Sequence, residues 1–261
     1  MGLFNRKKKP ETTPESNLLL AMPMFNNGES FYIDKVIAYL ASDWGVHVTD
    51  IDRSSETVSF TIQDELVILA KMPAPIPWGD IEGTAQYAYN WSSALKDLEK
   101  HNSHVLVTIL SSNTSQKERF TILTKVLAAI LATSDDCIGI YQGTQSLLIP
   151  KDQYLDSAEA LKQNFVPLDL WVYIGMRRGA ETNSAYSYGL KAFGKMEMEF
   201  IDAPMDLEEL HHFISQICGY VINSDVTFKN GETLGFTAEQ KIKITQSKGT
   251  FVEGESFKLT F

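Results

Sequence analysis

Two histidines three residues apart are the first side chains in this sequence whose type and spacing could do chemistry. His101 and His104 stand where a predicted helix ends and a predicted strand begins. A divalent metal could use this spacing if a carboxylate or a cysteine completed the site. No third ligand follows nearby, so the alternative is structural, with His101 a cation favoured by the helix dipole and His104 bonded to a backbone carbonyl. We favour the structural role and predict no metal and no cofactor.

Two glutamates are the next candidates, because their spacing could place a pair of carboxylates together. Glu197 and Glu199 alternate with Met196, Met198 and Phe200, so on a strand both carboxylates project from one face. Neighbouring like charges raise a carboxylate pKa and so prepare it for acid–base work. Two solvent-facing glutamates explain the same alternation, and we predict that arrangement unless the sheet is covered on both sides.

A third cluster lies within one turn of a predicted helix. Glu208, His211 and His212 resemble half of a carboxylate-bridged metal motif, but the sequence holds only one copy. Leu210 and Ile214 define the buried stripe of this helix, so we expect His212 to face water, where it could pair with Glu208.

The candidates for ligand binding are one cation and three aromatic residues. Arg177 precedes a second arginine at a predicted strand end, where it could hold a carboxylate or phosphate in bidentate fashion. Tyr186 and Tyr188 belong to an aromatic and glycine-rich ribbon that could line a groove. Trp78 follows the proline-rich residues 72–77, which predict an extended connection at the rim of a sheet. The alternatives are a charged hairpin tip and ordinary core packing.

Composition excludes several classes of function. The 261-residue chain has a formal net charge of −10, which opposes binding to nucleic acid. Its two cysteines lie in apolar patterns typical of inert core thiols in a reducing compartment. No stretch approaches the roughly 18 apolar residues of a membrane span, and the first residues contain no apolar core of the kind that a signal peptide has. We therefore expect a cytoplasmic protein without stable membrane association. Residues 1–17 predict a solvated basic tail, with a weak electrostatic contact to an anionic membrane as the alternative.

The order of elements predicts an α+β fold. A strand, a helix, a hairpin, a long helix capped by Asp80 and a further strand follow one another, and a similar order recurs after residue 136. This pattern predicts tandem ferredoxin-like (βαββαβ) halves at residues 18–136 and 137–261, with extra C-terminal β-hairpins. The alternative is one continuous mixed sheet.

Four ordered segments carry a family resemblance. They are residues 72–77 (MPAPIP), residues 101–107 (HNSHVLV) behind the Trp91 helix, residues 186–199 (YSYGLKAFGKMEME), and residues 225–236 with Asn230-Gly231. Together they resemble the bacterial family known as domain of unknown function 4261, over about residues 18–261. The resemblance implies a bacterial cytoplasmic protein. It brings no activity, substrate, cofactor or functional residue.

Two functions remain open at this point. Phosphate-binding loops, dinucleotide fingerprints and nucleophile elbows are missing from the sequence, and ferredoxin-like sheets commonly offer pairing edges. These features favour a non-catalytic interaction module, regulatory or neutralising, for an unidentified protein partner. The alternative is a hydrolase or metal-dependent enzyme that brings His101 or His104 to Glu197 and Glu199 at the junction of the two halves.

Overall fold

A computed structural model describes residues 18–28, 30–110, 113–235 and 241–261, and the predicted tail lies outside the described residues. In chain order the first elements are β1 (Leu19–Phe25), α1 (Ile33–Trp44), β2 (Thr49–Arg53), β3 (Thr57–Ile62), β4 (Glu65–Met72), α2 (Trp78–Ala85), α3 (Ala94–Leu98), β5 (Ser103–Ile109), α4 (Gln116–Thr133), β6 (Cys137–Gln142) and β7 (Leu147–Pro150). The others are α5 (Lys151–Ala158), α6 (Leu168–Trp171), β8 (Tyr173–Arg178), β9 (Asn183–Tyr188), β10 (Met198–Ala203), α7 (Leu207–Asn223), β11 (Thr233–Gly235), β12 (Lys241–Lys248) and β13 (Glu255–Thr260). Three short 3-10 helices span Gly143–Gln145, Glu159–Gln163 and Leu190–Phe193.

The strands form two sheets, so the α+β class is confirmed. The first sheet has the order β2-β3-β4-β5-β1-β6-β7 and is antiparallel throughout. The second has the order β11-β12-β13-β10-β9-β8, in which only β10 and β13 run parallel. One of the predicted C-terminal β-hairpins is present as β12 and β13.

The tandem ferredoxin-like arrangement is not confirmed, because the strand order differs. That fold would place β1 between β5 and β4, paired with both. Instead β4 pairs with β5 in antiparallel register from Val67↔Ile109 to Met72↔His104, and β1 lies on the other side of β5. The same sequence of elements allows both orders, and the match of two apolar strands decides between them. Strands β6 and β7, which follow residue 136, belong to the first sheet.

Helix α4 joins the two sheets. It begins at a capping box, in which Ser115 accepts from the Glu118 N–H and the Glu118 carboxylate accepts from the Ser115 N–H. Phe120 stacks on Phe193 at 4.4 Å, and the Trp171 indole N–H donates to the Thr124 hydroxyl at 2.8 Å. One apolar cluster therefore runs from the first sheet through α4 to the second.

The long helix predicted from Asp80 is wrong, because two short helices replace it. Between α2 and α3 the backbone makes three-residue turns, with the Tyr87 N–H donating to Thr84 and the Trp91 N–H to Ala88. The Trp91 ring is buried, and its indole N–H donates to the Asp97 carboxylate at 2.8 Å. This anchor holds the connection against the first sheet and leaves its other aromatic residues free to face the second sheet.

Candidate binding cleft

The two predicted histidines have structural partners beside the proline-rich segment. The Ile76 N–H donates to His101 Nε2 at 3.0 Å, and His101 Nδ1 lies 2.6 Å from the Leu98 carbonyl. This pattern requires the neutral ring with its proton on Nδ1, which corrects the predicted cation and leaves no lone pair free for a metal. His104 Nδ1 bonds the Ala74 carbonyl at 2.7 Å, as predicted. Burial lowers the pKa of His104, the bond to Ala74 opposes that shift, and His101 adds to it.

The two predicted glutamates are buried, which corrects the expectation that they face solvent. Glu199 accepts hydrogen bonds from the Thr250 and Phe251 N–H groups, from the Ser256 hydroxyl and from Lys258 Nζ. Burial raises the pKa of Glu199, but the bonds from Lys258, Ser256 and the two N–H groups outweigh it and lower the pKa. The reason for burial is that residues 249–254 fold back over this face of β10, so the sheet is covered on both sides.

Glu197 has a different set of partners. It accepts from the Ser187 hydroxyl at 2.6 Å and from the N–H groups of Gly189 and Lys191 at 2.9 and 3.2 Å. It also lines a cavity of about 550 Å³ between the sheets, with Tyr188 among the other lining residues. Each glutamate thus anchors a separate stretch of backbone, and they share no hydrogen-bond partner within the ranges that the structure covers.

No recorded contact between described residues joins either histidine to either glutamate. His104 lies in β5 of the first sheet and His101 just before it, whereas Glu199 lies in β10 of the second sheet and Glu197 just before it. Within the described ranges, no group of three His, Cys, Asp or Glu side chains is placed to hold a metal ion.

A row of aromatic rings crosses the second sheet, on the face that carries Glu199. Tyr173 meets Tyr186 edge to face at 6.1 Å, and Tyr186 stacks on Phe251 at 5.4 Å. The Tyr186 ring lies over Gly175, where an added Cβ would come within 2.1 Å of it. The Arg177 guanidinium also lies over the Tyr186 ring, 6.0 Å from its centre. The predicted candidates Arg177 and Tyr186 therefore belong to one arrangement.

This row ends in a cleft whose lining includes three tyrosines. Tyr87 and Tyr89, from the connection between α2 and α3, place their rings 5.6 and 6.2 Å from Tyr173 of β8. Two adjoining cavities of about 340 and 420 Å³ share these three rings, the first reaching His211 and the second Arg177. We call the site formed by Tyr87, Tyr89, Tyr173, Arg177 and His211 the tyrosine cleft.

His211 supplies the polar wall of the tyrosine cleft. Its Nε2 lies 3.2 Å from the Tyr89 hydroxyl, and the two rings meet edge to face. Burial lowers the pKa of His211, as does His212, while Asp169 opposes the shift. His211 is therefore neutral at pH 7, and it acts here as a hydrogen-bonding group. His212 is exposed, as predicted.

The tyrosine cleft follows the open edge of a sheet. β8 is the last strand of the second sheet, and no strand pairs with its outer side in the part of the chain that the structure describes. Consecutive β8 residues line the cavities, first Tyr173 and Ile174, then Met176 and Arg177. Because side chains alternate between faces, cavities lined by neighbours on one strand lie along its edge.

The sequence contained one weak signal for this site. This signal was the pair Tyr87 and Tyr89, next to Asn90. It went unused because residues 80–98 were assigned to one long helix. The other two candidates lie elsewhere. Trp78 is 38% exposed beside a proline-lined groove of about 690 Å³ that includes His101. Tyr188 is 40% exposed at the cavity that holds Glu197.

Fold and site together define an α+β protein of two sheets joined by a central helix, with a tyrosine-lined cleft along one sheet edge. Residues 186–260 match the model of a family described as domain of unknown function (DUF4261), which confirms the resemblance over the strands from β9 to β13. No curated protein and no solved structure matches the chain. Among the described residues, no helix is both long and apolar enough to cross a membrane.

Proposed function

We propose that this protein is a non-catalytic interaction module that holds an extended segment of a partner protein in the tyrosine cleft. The observation that carries the proposal is the convergence of three tyrosines, a neutral histidine and an arginine on an open strand edge. Tyrosine and arginine are the residue types that most often carry binding energy at protein interfaces. A regulatory or neutralising role fits such a module.

The chemistry of the cleft supports binding over catalysis. Tyr89 and His211 bond to each other, and burial raises the pKa of Tyr173, whose hydroxyl bonds Tyr186. A tyrosine with a raised pKa stays protonated at pH 7, so it donates and accepts hydrogen bonds without acting as a base. Rings with few rotatable bonds also lose little conformational entropy on binding.

A cytoplasmic site of action belongs to the same proposal. Cys137 and Cys218 are free and buried, and burial raises the pKa of Cys137 to about 12. Such thiols are inert, which suits a reducing compartment without requiring one.

The test begins with random heptapeptides displayed on phage and selected on the purified protein. Selected peptides are then synthesised, and their affinities are measured by fluorescence anisotropy. Tyr89 is 62% exposed, so Tyr89→Ala should leave folding nearly unchanged. We expect this change to weaken binding by about 30-fold, the loss typical of an interfacial hot spot.

The matched control is Tyr220→Ala. Tyr220 is also an exposed tyrosine, on the same helix as His211 but outside the tyrosine cleft. It should bind the selected peptides like the unchanged protein. A selection that yields no binder, or binders equally insensitive to both changes, would refute the proposed function.

A further inference from the structure

We propose that the partner segment adds to β8 as a seventh, antiparallel strand of the second sheet, with acidic residues at its N-terminal end held by Arg177 and Arg178. This inference rests on the proposed function and specifies its recognition chemistry. Its tests address the backbone edge and the two arginines, whereas the test of the function addresses Tyr89.

The backbone of β8 supplies the first part of the argument. An edge strand directs the N–H and C=O groups of every second residue away from its sheet. The six residues of β8 extend over roughly 20 Å, which matches a segment of about six residues. Antiparallel pairing is slightly more stable per residue than parallel pairing, and β8 already pairs in that way with β9.

The cavities supply the second part. An added strand directs alternate side chains to the same face, so recognition by strand addition needs successive pockets beside the edge. The tyrosine cleft has two adjoining cavities, one beside Tyr173 and Ile174 and one beside Met176 and Arg177. Their order along β8 suits two side chains of one extended segment.

Charge supplies the third part. Arg177 and Arg178 are consecutive and exposed at the end of β8, and neither forms an ion pair with a carboxylate within the described ranges. Two such arginines stand out in a chain of net charge −10. A guanidinium is suited to bind a carboxylate through two parallel hydrogen bonds. Because an antiparallel strand begins where β8 ends, its acidic residues must lie at its N-terminal end.

The first test reads the charge preference of the selected heptapeptides. We expect Asp or Glu to be enriched at their first two positions on the unchanged protein. The double change Arg177→Glu and Arg178→Glu should lower the affinity for these peptides by about tenfold or more. A new selection on this variant should enrich Lys or Arg at the first two peptide positions. The control is the double change Lys241→Glu and Lys243→Glu, which alters net charge equally on the exposed side of β12. It should preserve both affinity and preference.

The second test concerns the backbone. A selected peptide is N-methylated at its odd-numbered residues in one version and at its even-numbered residues in another. Because only alternate N–H groups of an added strand face β8, one version should lose binding and the other should keep most of it.

The outcomes separate the two proposals. Peptides that require Tyr89 for binding but show no acidic preference would overturn strand addition and leave the proposed function standing. Peptides that still bind in both N-methylated versions would do the same. Failure to select any peptide would overturn both. A dimer in sedimentation experiments that is broken by the Arg177 and Arg178 reversal would show that a second copy occupies the edge, which also overturns this inference.

Discussion

At the scale of single residues, buried carboxylates accept hydrogen bonds from backbone N–H groups that lie outside the strands. Glu199 is fully buried and gathers two backbone N–H groups, a hydroxyl and an ammonium group around one side chain. The segment that supplies the N–H groups carries Phe251, which stacks on Tyr186 of the aromatic row. Through this segment, the buried carboxylate of Glu199 helps to position the aromatic row beside the tyrosine cleft.

Glu199→Gln tests this support. Removing one partner of a buried ion pair typically costs about 3–5 kcal/mol, so we expect a loss of stability in that range in urea unfolding at pH 7. The pKa of Glu199 is lowered in the folded protein, so its contribution is fully present above the unfolded-state pKa and is lost as pH falls through the folded-state value. The difference between the two proteins should therefore shrink as the pH falls from 5 towards 3.

The control for this experiment is Glu253→Gln. Glu253 lies in the same segment, but its side chain is exposed and has no recorded partner in the described structure. This change should leave stability within about 0.5 kcal/mol of the unchanged protein at every pH. Equal effects of both changes would contradict the role given to Glu199.

At the scale of elements, the aromatic row on β8 depends on a glycine. Gly175 leaves the space in which the Tyr186 ring lies between Tyr173 and Arg177. If alanine replaced Gly175, β8 could still pair with β9, but the aromatic row could not form in its present geometry.

Gly175→Ala should destabilise the protein by about 1–3 kcal/mol, because the added methyl group overlaps a ring that is itself packed on both sides. Gly219→Ala in α7 is the matched control, since an added Cβ there meets nothing within 4 Å. Within a helix this change should stabilise by about 0.5–1 kcal/mol. Thermal unfolding followed by circular dichroism measures both, and shifts of the same sign would contradict the packing argument.

At the scale of the whole molecule, α4 makes the two sheets one packed body. It contacts β1, β5 and β6 of the first sheet, and its Phe120 and Thr124 contact Phe193 and Trp171 beside the second sheet. The shared apolar cluster includes Val107 of β5 and Leu259 of β13. The predicted division into residues 18–136 and 137–261 would instead give two separable cores.

Cooperative unfolding distinguishes these arrangements. We expect circular dichroism and tryptophan fluorescence to report one coincident transition in urea. Val107→Ala and Leu259→Ala, one in each sheet, should each lower the shared midpoint, because each leaves a cavity in the same core. Two transitions, each sensitive to only one change, would support the division at residue 136.

The sequence by itself determined the class of fold and many of its local elements. The stop of α1 at Gly45 and the hairpin at Lys248-Gly249 follow from local signals, and both are present. Such signals act over a few residues, so the printed sequence contains everything they need. The family resemblance in residues 186–260 also depends on the sequence alone.

Only the tertiary structure decided which strands pair, which carboxylates are buried and where the cleft lies. Glu199 looked solvent-facing because its alternation with apolar residues is local, whereas the backbone that covers it comes from about 50 residues further along the chain. Tyr87 and Tyr89 meet Tyr173 of β8 because Trp91 anchors their segment beside the open edge of that strand. Contacts between distant segments depend on the packing of the whole core, and no local pattern of residue types records them.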